Sequence, residues 1–182
     1  MTAACRLFDT AVGRCAIVWR GGLVVRVLLP AADDAAMEAS IRRAFPDAVE
    51  GAPPGAIAAV MGKIAALCGG EAQDFGDAPL DRAIIEPFAA RVYAVLERTG
   101  FGETTTYGAI AEALGDKALS RTVGAALGAN PFPIVIPCHR VTAAGGAMGG
   151  FSAPGGAATK RRLLEIEGAF AAERLPLFGA IN

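Results

Sequence analysis

Apolar residues crowd two short runs near the start of the chain, CAIVW at 15–19 and LVVRVLL at 23–29. Both are of strand length, and Gly13 and Gly21-Gly22 punctuate them at turn positions, so residues 4–29 are expected to form a β-meander. The apolar spacing then lengthens. Helices are expected at about 34–45, ending before Pro46, and at about 56–67, ending before Gly69-Gly70. The stretch 69–83 is mixed and turn-rich, which places a domain boundary near residue 80.

Beyond the boundary the pattern is mainly helical. EPFAARVYAVLER sets Pro87 at a first helical position, with apolar residues at 88, 92, 95 and 96 on one face. Thr106 is expected to cap a short helix closed by Gly115, and Ser120 another, RTVGAALGAN, stopped by Pro131. Two short helices so close together read as a helix-turn-helix. The small residues of the second suit either close approach to a large flat partner or tight helix packing. IVI at 134–136 reads as a short strand between prolines 131, 133 and 137. Residues 145–156 hold six glycines in twelve positions, a loop that is either flexible or shaped for close backbone approach. A last helix, ATKRRLLEIEG, stops at Gly168.

Composition narrows the class. With 182 residues, 53% hydrophobic and 19% charged, the chain is no disordered protein. Its net charge of −1 argues against a nucleic-acid binder until the chain is divided. Residues 1–90 carry 8 Lys and Arg against 11 Asp and Glu, whereas Lys117 to Arg162 holds six basic residues and no acidic one. Four scattered cysteines and one histidine give no metal-ligand spacing and no disulfide framework. With neither a signal peptide nor a membrane span in the pattern, the expectation is a soluble cytoplasmic protein without metal or cofactor.

The candidate chemistry lies at Cys138-His139-Arg140, at the end of the short IVI strand and behind Pro137. A cysteine beside an imidazole and a positive neighbour can become a reactive thiolate, though an inert buried cysteine is the commoner fate. Glu167 adds weight. Positions 160, 163, 164 and 167 share one helix face, and Leu163 and Leu164 turn that face toward the core. A carboxylate aimed inward needs a partner, and His139 or Lys160 would serve. Glu165, by contrast, faces out with Arg161. A Glu–His–Cys relay would orient the imidazole and draw the proton from the thiol.

These residues carry a resemblance. IPCHRV, preceded by NPFP and followed by GGFSAPGG and K..LL..EG, is similar to the O6-alkylguanine-DNA alkyltransferases. FGETTTYGAIA and SRTVGAALGANP extend the likeness over roughly residues 82–168. The resemblance implies an α/β (α+β) chain, with a small ribonuclease H-like domain at 1–80 and a mainly helical, winged-helix-like domain at 81–182 bearing the helix-turn-helix. It further implies irreversible transfer of an alkyl group from O6-alkylguanine in duplex DNA to Cys138, leaving O4-alkylthymine open. His139 is then the base acting through a water, Glu167 orients it, and Tyr107 donates to the flipped guanine. Asn130 braces the turn before the acceptor, and Arg121 fills the space left by the base. Ser152 and the backbone at Cys138 and Val141 hold the base edge. Gly124, Ala125 and Ala126 fit the narrow groove, and Lys160 joins them on the DNA-binding side. Phe151 stands where many relatives have tyrosine, and the histidines that bind zinc in some members are missing.

Two other readings remain in view. A lesion-binding or regulatory DNA protein without chemistry would not need Cys138. A thiol hydrolase would leave the helix-turn-helix unexplained. The expected partner is lesion-bearing double-stranded DNA, not a membrane, met by a monomer.

Overall fold

A computed structural model describes residues 1–169. Strands β1 (Ala4–Thr10), β2 (Gly13–Arg20) and β3 (Leu23–Leu28) form the expected antiparallel meander. A short β4 (Val49–Glu50) adds in parallel to β1, giving the order β3-β2-β1-β4. CAIVW is apolar at every position because both faces of β2 are covered. Cys15, Ile17 and Trp19 join the larger core, while Ala16 and Val18 meet Met37 and Ile41 of α1 (Asp34–Ala44). Helix α2 (Gly55–Cys68) closes the first face with Ile57, Val60, Ile64 and Leu67.

That larger core continues past residue 80 into α3 (Pro87–Leu96), through Val92, Tyr93 and Leu96. Helices α4 (Tyr107–Ala113) and α5 (Ser120–Gly128) pack on α3 and on each other. Tyr93 Oη donates to the Ala126 carbonyl at 2.7 Å, tying α5 to α3. Strands β5 (Thr105–Thr106) and β6 (Val141–Thr142) pair in parallel, and α6 (Gly156–Ile166) completes the described chain. The architecture is therefore mixed α/β, a small sheet unit followed by a helical unit. Residues 170–182, the end of the expected second domain, lie outside the described residues. Among the described residues no helix is long and apolar enough to cross a membrane.

Three local expectations are corrected. Thr106 does cap α4, accepting from Ala109 N–H at 3.1 Å, but Ser120 is no cap. Asp116 caps a 3₁₀ turn at 117–119 that runs straight into α5, so Ser120 is already helical and donates to the Lys117 carbonyl. IVI is a turn, not a strand: Ile134 has φ +72° and only Pro133 and Ile136 form a bridge. Cys138, in consequence, sits at the start of a 3₁₀ turn (Cys138–Arg140) leading into β6, not at a strand's end.

Candidate active site

The turn that presents Cys138 is built by Asn130. Its Nδ2 donates to the Ile136 carbonyl and its Oδ1 accepts from Phe132 N–H, both at 2.9 Å. These bonds replace the ladder that a strand would have supplied, and hold Ile134 in a conformation that β-branched residues avoid. Cys138 N–H closes the turn on the Ile136 carbonyl at 2.8 Å.

Behind Cys138 lies a buried ionic cluster. His139 Nε2 donates to Glu167 Oε1 at 2.8 Å, and both side chains are fully buried. Arg140 forks onto the same carboxylate, Nε to Oε2 at 2.8 Å and Nη2 to Oε1 at 3.0 Å. Gly102 N–H adds a weaker bond to Oε2 at 3.3 Å, so each Glu167 oxygen accepts twice. Gly102 is glycine for space, since its φ is +78° and a Cβ there would stand 2.9 Å from the Glu167 carbonyl. Burial pushes the Glu167 carboxyl up, yet the hydrogen bonds and charges of His139 and Arg140 outweigh it and hold it at about 2. Burial also pushes the His139 imidazole below its ordinary value, against the pull of Glu167. The ring is therefore neutral, and because an ionised carboxylate only accepts, its proton is on Nε2. Nδ1 carries a lone pair and is a buried atom with no hydrogen-bond partner.

Cys138 itself is buried, which raises its thiol, against the Asn130 side chain and the Lys160 charge, which lower it. At rest it is a thiol with a neutral base beside it. It opens onto a cavity of about 460 Å³ lined by Tyr107, Gly124, Leu127, Gly128, Gly150 and Phe151. Tyr107 Oη donates to the Gly150 carbonyl at 3.1 Å, and Lys160 Nζ bonds the same oxygen at 3.2 Å. Together they fasten the glycine-rich loop over the cavity. Gly149 is where close approach decides the residue: at φ +69°, a Cβ would lie 3.0 Å from the Tyr107 ring.

Comparison with known proteins decides the family. Residues 87–169 match the family model "6-O-methylguanine DNA methyltransferase, DNA binding domain". A methylated-DNA–protein-cysteine methyltransferase of Mycobacterium tuberculosis is 40% identical over 125 residues, 69% of this chain and 73% of that protein. This chain belongs to the methylated-DNA–protein-cysteine methyltransferase family. Its fold is that of the Mycobacterium tuberculosis OGT crystallised in complex with DNA, with a TM-score of 0.72 and 31% identity, covering 91% of this chain and 93% of that one. A DNA base-flipping protein of Thermus thermophilus is 43% identical over 107 residues, 58% of this chain and 69% of that protein.

Of the residues expected to carry the chemistry, Cys138 and Tyr107 line the cavity, His139 and Glu167 are bonded to each other behind Cys138, and Asn130 braces the turn before it. The outward-facing set is rearranged. Arg121 is exposed on the first turn of α5, and Ser152 is exposed at the cavity mouth, donating to the Gly128 carbonyl at 2.9 Å. Of the small residues, Ala125 is exposed and Gly124 lines the cavity. Ala126 is turned into the core, contrary to expectation, because α5 must pack on Tyr93. Lys160 is likewise no DNA contact. It is fully buried, donating to the Val141 carbonyl at 2.6 Å as well as to Gly150. The Val141 carbonyl is thus already engaged, with one lone pair left for a base. Sequence reasoning missed Arg140 and Gly102 as holders of Glu167, since only the tertiary fold brings them to it.

Proposed function

We propose that this protein repairs O6-alkylguanine in duplex DNA by moving the alkyl group to its own Cys138, once per molecule. The observation that carries this reading is the neutral, buried His139, clamped through Nε2 and unpartnered at Nδ1, next to a thiol that faces an open cavity. In the transfer, the Cys138 proton passes through a water to His139 Nδ1, leaving an imidazolium that Glu167 stabilises. Sulfur then attacks the alkyl carbon as the carbon–O6 bond breaks, and the electron pair goes to the guanine. Tyr107, which burial keeps protonated, releases the Gly150 carbonyl and gives its proton to the leaving base, and the proton held by His139 returns through water to the tyrosine oxygen. The products are a thioether at Cys138 and unmodified guanine.

The base must leave the stack to reach a cavity behind α5, at a cost of a few kcal/mol. Arg121 is placed to fill the gap in the duplex. It sits where the helix dipole disfavours a cation, and it has no ion-pair partner among the described residues. Changing Arg121 to alanine should slow repair of duplex DNA several-fold and leave the reaction with free O6-benzylguanine unchanged. Equal slowing of both would remove it from flipping.

Residues 81–182 are proposed as the DNA-binding and alkyl-acceptor domain, and 1–80 as its support. Action as a monomer is part of the same proposal, and a free acceptor thiol suits the reducing cytoplasm. Mass spectrometry of the Cys138 peptide after exposure to an O6-methylguanine duplex tests the reaction, with one added methyl group expected. The likeness to a base-flipping protein favours a second reading, lesion binding without transfer. Tight lesion binding with Cys138 left unmodified would establish that reading instead.

A further inference from the structure

Arg140 is a buried charge to which the transfer chemistry gives no task. Its side chain is 8% exposed. A buried ion pair seldom adds stability over well-packed apolar residues, so stability is a poor reason for an arginine here. Its geometry gives a better one. Three of its nitrogens are committed, Nε and Nη2 to Glu167 and Nη1 to the Thr99 carbonyl at 2.6 Å. Thr99 lies just beyond α3, outside the acceptor turn, so that third bond fixes the plane of the guanidinium from a separate element.

A planar fork fixed in this way fixes the carboxylate it holds. The terminal torsion of a glutamate is otherwise broad, and one bond from an imidazole with the longer one from Gly102 N–H would hold it only loosely. With the fork in place, Oε1 keeps one direction open to His139 Nε2. The other charged or titratable groups near the pair do not compete for this task. Lys160 on α6 is spent on the Val141 and Gly150 carbonyls, Cys68 of α2 is a protonated thiol, and Cys138 is the acceptor itself.

We propose that Arg140 is a positioning residue for the alkyl transfer: its fork, anchored on Thr99, holds Glu167 in the orientation that keeps the proton on His139 Nε2 and leaves Nδ1 free to take the thiol proton. The proposal rests on the functional reading above. It extends that reading from the groups that handle the proton to the group that decides which imidazole nitrogen receives it. It also accounts for an arginine rather than a lysine, since a point charge would neutralise the carboxylate without orienting it.

The test uses Arg140→Lys and Arg140→Gln in the full-length protein. His139 is the only histidine in the chain, so a long-range ¹⁵N spectrum reports its tautomer without assignment. The native protein should show protonated Nε2 alone, and both variants a mixture with protonated Nδ1. Single-turnover repair should fall about 10- to 100-fold, the scale of an ångström-sized misplacement, with Lys losing less than Gln. Variants that keep the native tautomer, or that lose rate only in proportion to their folded fraction by circular dichroism, would overturn the proposal. If Gln does not fold, the same two readings on Lys decide. If the native protein leaves Cys138 unmethylated, the functional reading fails, while the tautomer comparison still tests the hold of Arg140 on His139.

Discussion

Replacing Cys138 by alanine should abolish repair while leaving DNA binding intact. The expectation is total loss, because no other thiol can substitute. Cys15 and Cys68 are buried in the sheet unit, and burial pushes Cys15 up to about 12 and Cys68 in the same direction. Cys5, on β1, is likewise raised. Burial raises the Cys138 thiol as well, but of the four cysteines Cys138 alone lines the cavity and stands next to the one histidine of the chain. The fold should survive, since removing one small buried side chain costs about 1 kcal/mol. Lesion loss from an O6-methylguanine duplex, followed beside a mobility-shift titration, separates the two effects. Any residual repair by the alanine variant would mean that the acceptor is not Cys138.

Much of this site could be read from the chain because it rests on local rules. Helical spacing alone turned Glu167 inward beside Leu163 and Leu164, and burial then demanded a partner for it. Turn chemistry located the meander and the Thr106 cap. The illegible parts share one physical cause, tertiary contacts overriding local preference. Ile134 and its neighbours have the composition of a strand, yet Asn130 takes the backbone groups that a strand would pair. A β-branched residue at φ +72° costs about 1–3 kcal/mol, and only the surrounding bonds sustain it.

Charge was misleading in the same way. The acid-free stretch from Lys117 to Arg162 carries six basic residues, but Arg140 and Lys160 are buried and Arg161 is paired with Glu165. The surface charge left for phosphates is therefore smaller than the count, with Lys117 and Arg121 its exposed members on the recognition side. Selectivity then falls mainly to the cavity, and general DNA affinity should be modest and sensitive to salt.

Glu167→Gln should have the second-largest effect, on both rate and acid stability. The amide keeps the shape but loses the charge that stabilises the imidazolium, so repair should fall about 10²- to 10⁴-fold, the usual worth of a positioned acid–base group. Stability should fall by about 3 kcal/mol near neutral pH, because Arg140 keeps its charge in a buried site without a counter-ion. The pH dependence follows from the direction of each shift. Glu167 is depressed to about 2 in the fold, so its contribution is complete above the ordinary carboxylate range and vanishes as pH falls through 2. His139 is also depressed, so the folded protein is favoured above the ordinary imidazole value and loses stability as pH drops below it. The native protein should therefore weaken in two stages on acidification, first below about pH 6.5 and then below about pH 4.5. The glutamine variant should keep the first stage and lose the second, so the stability gap between the two proteins narrows from pH 4.5 downward. Urea unfolding at intervals from pH 8 to pH 3 measures that gap. A gap independent of pH would show that Glu167 is not held ionised by its neighbours.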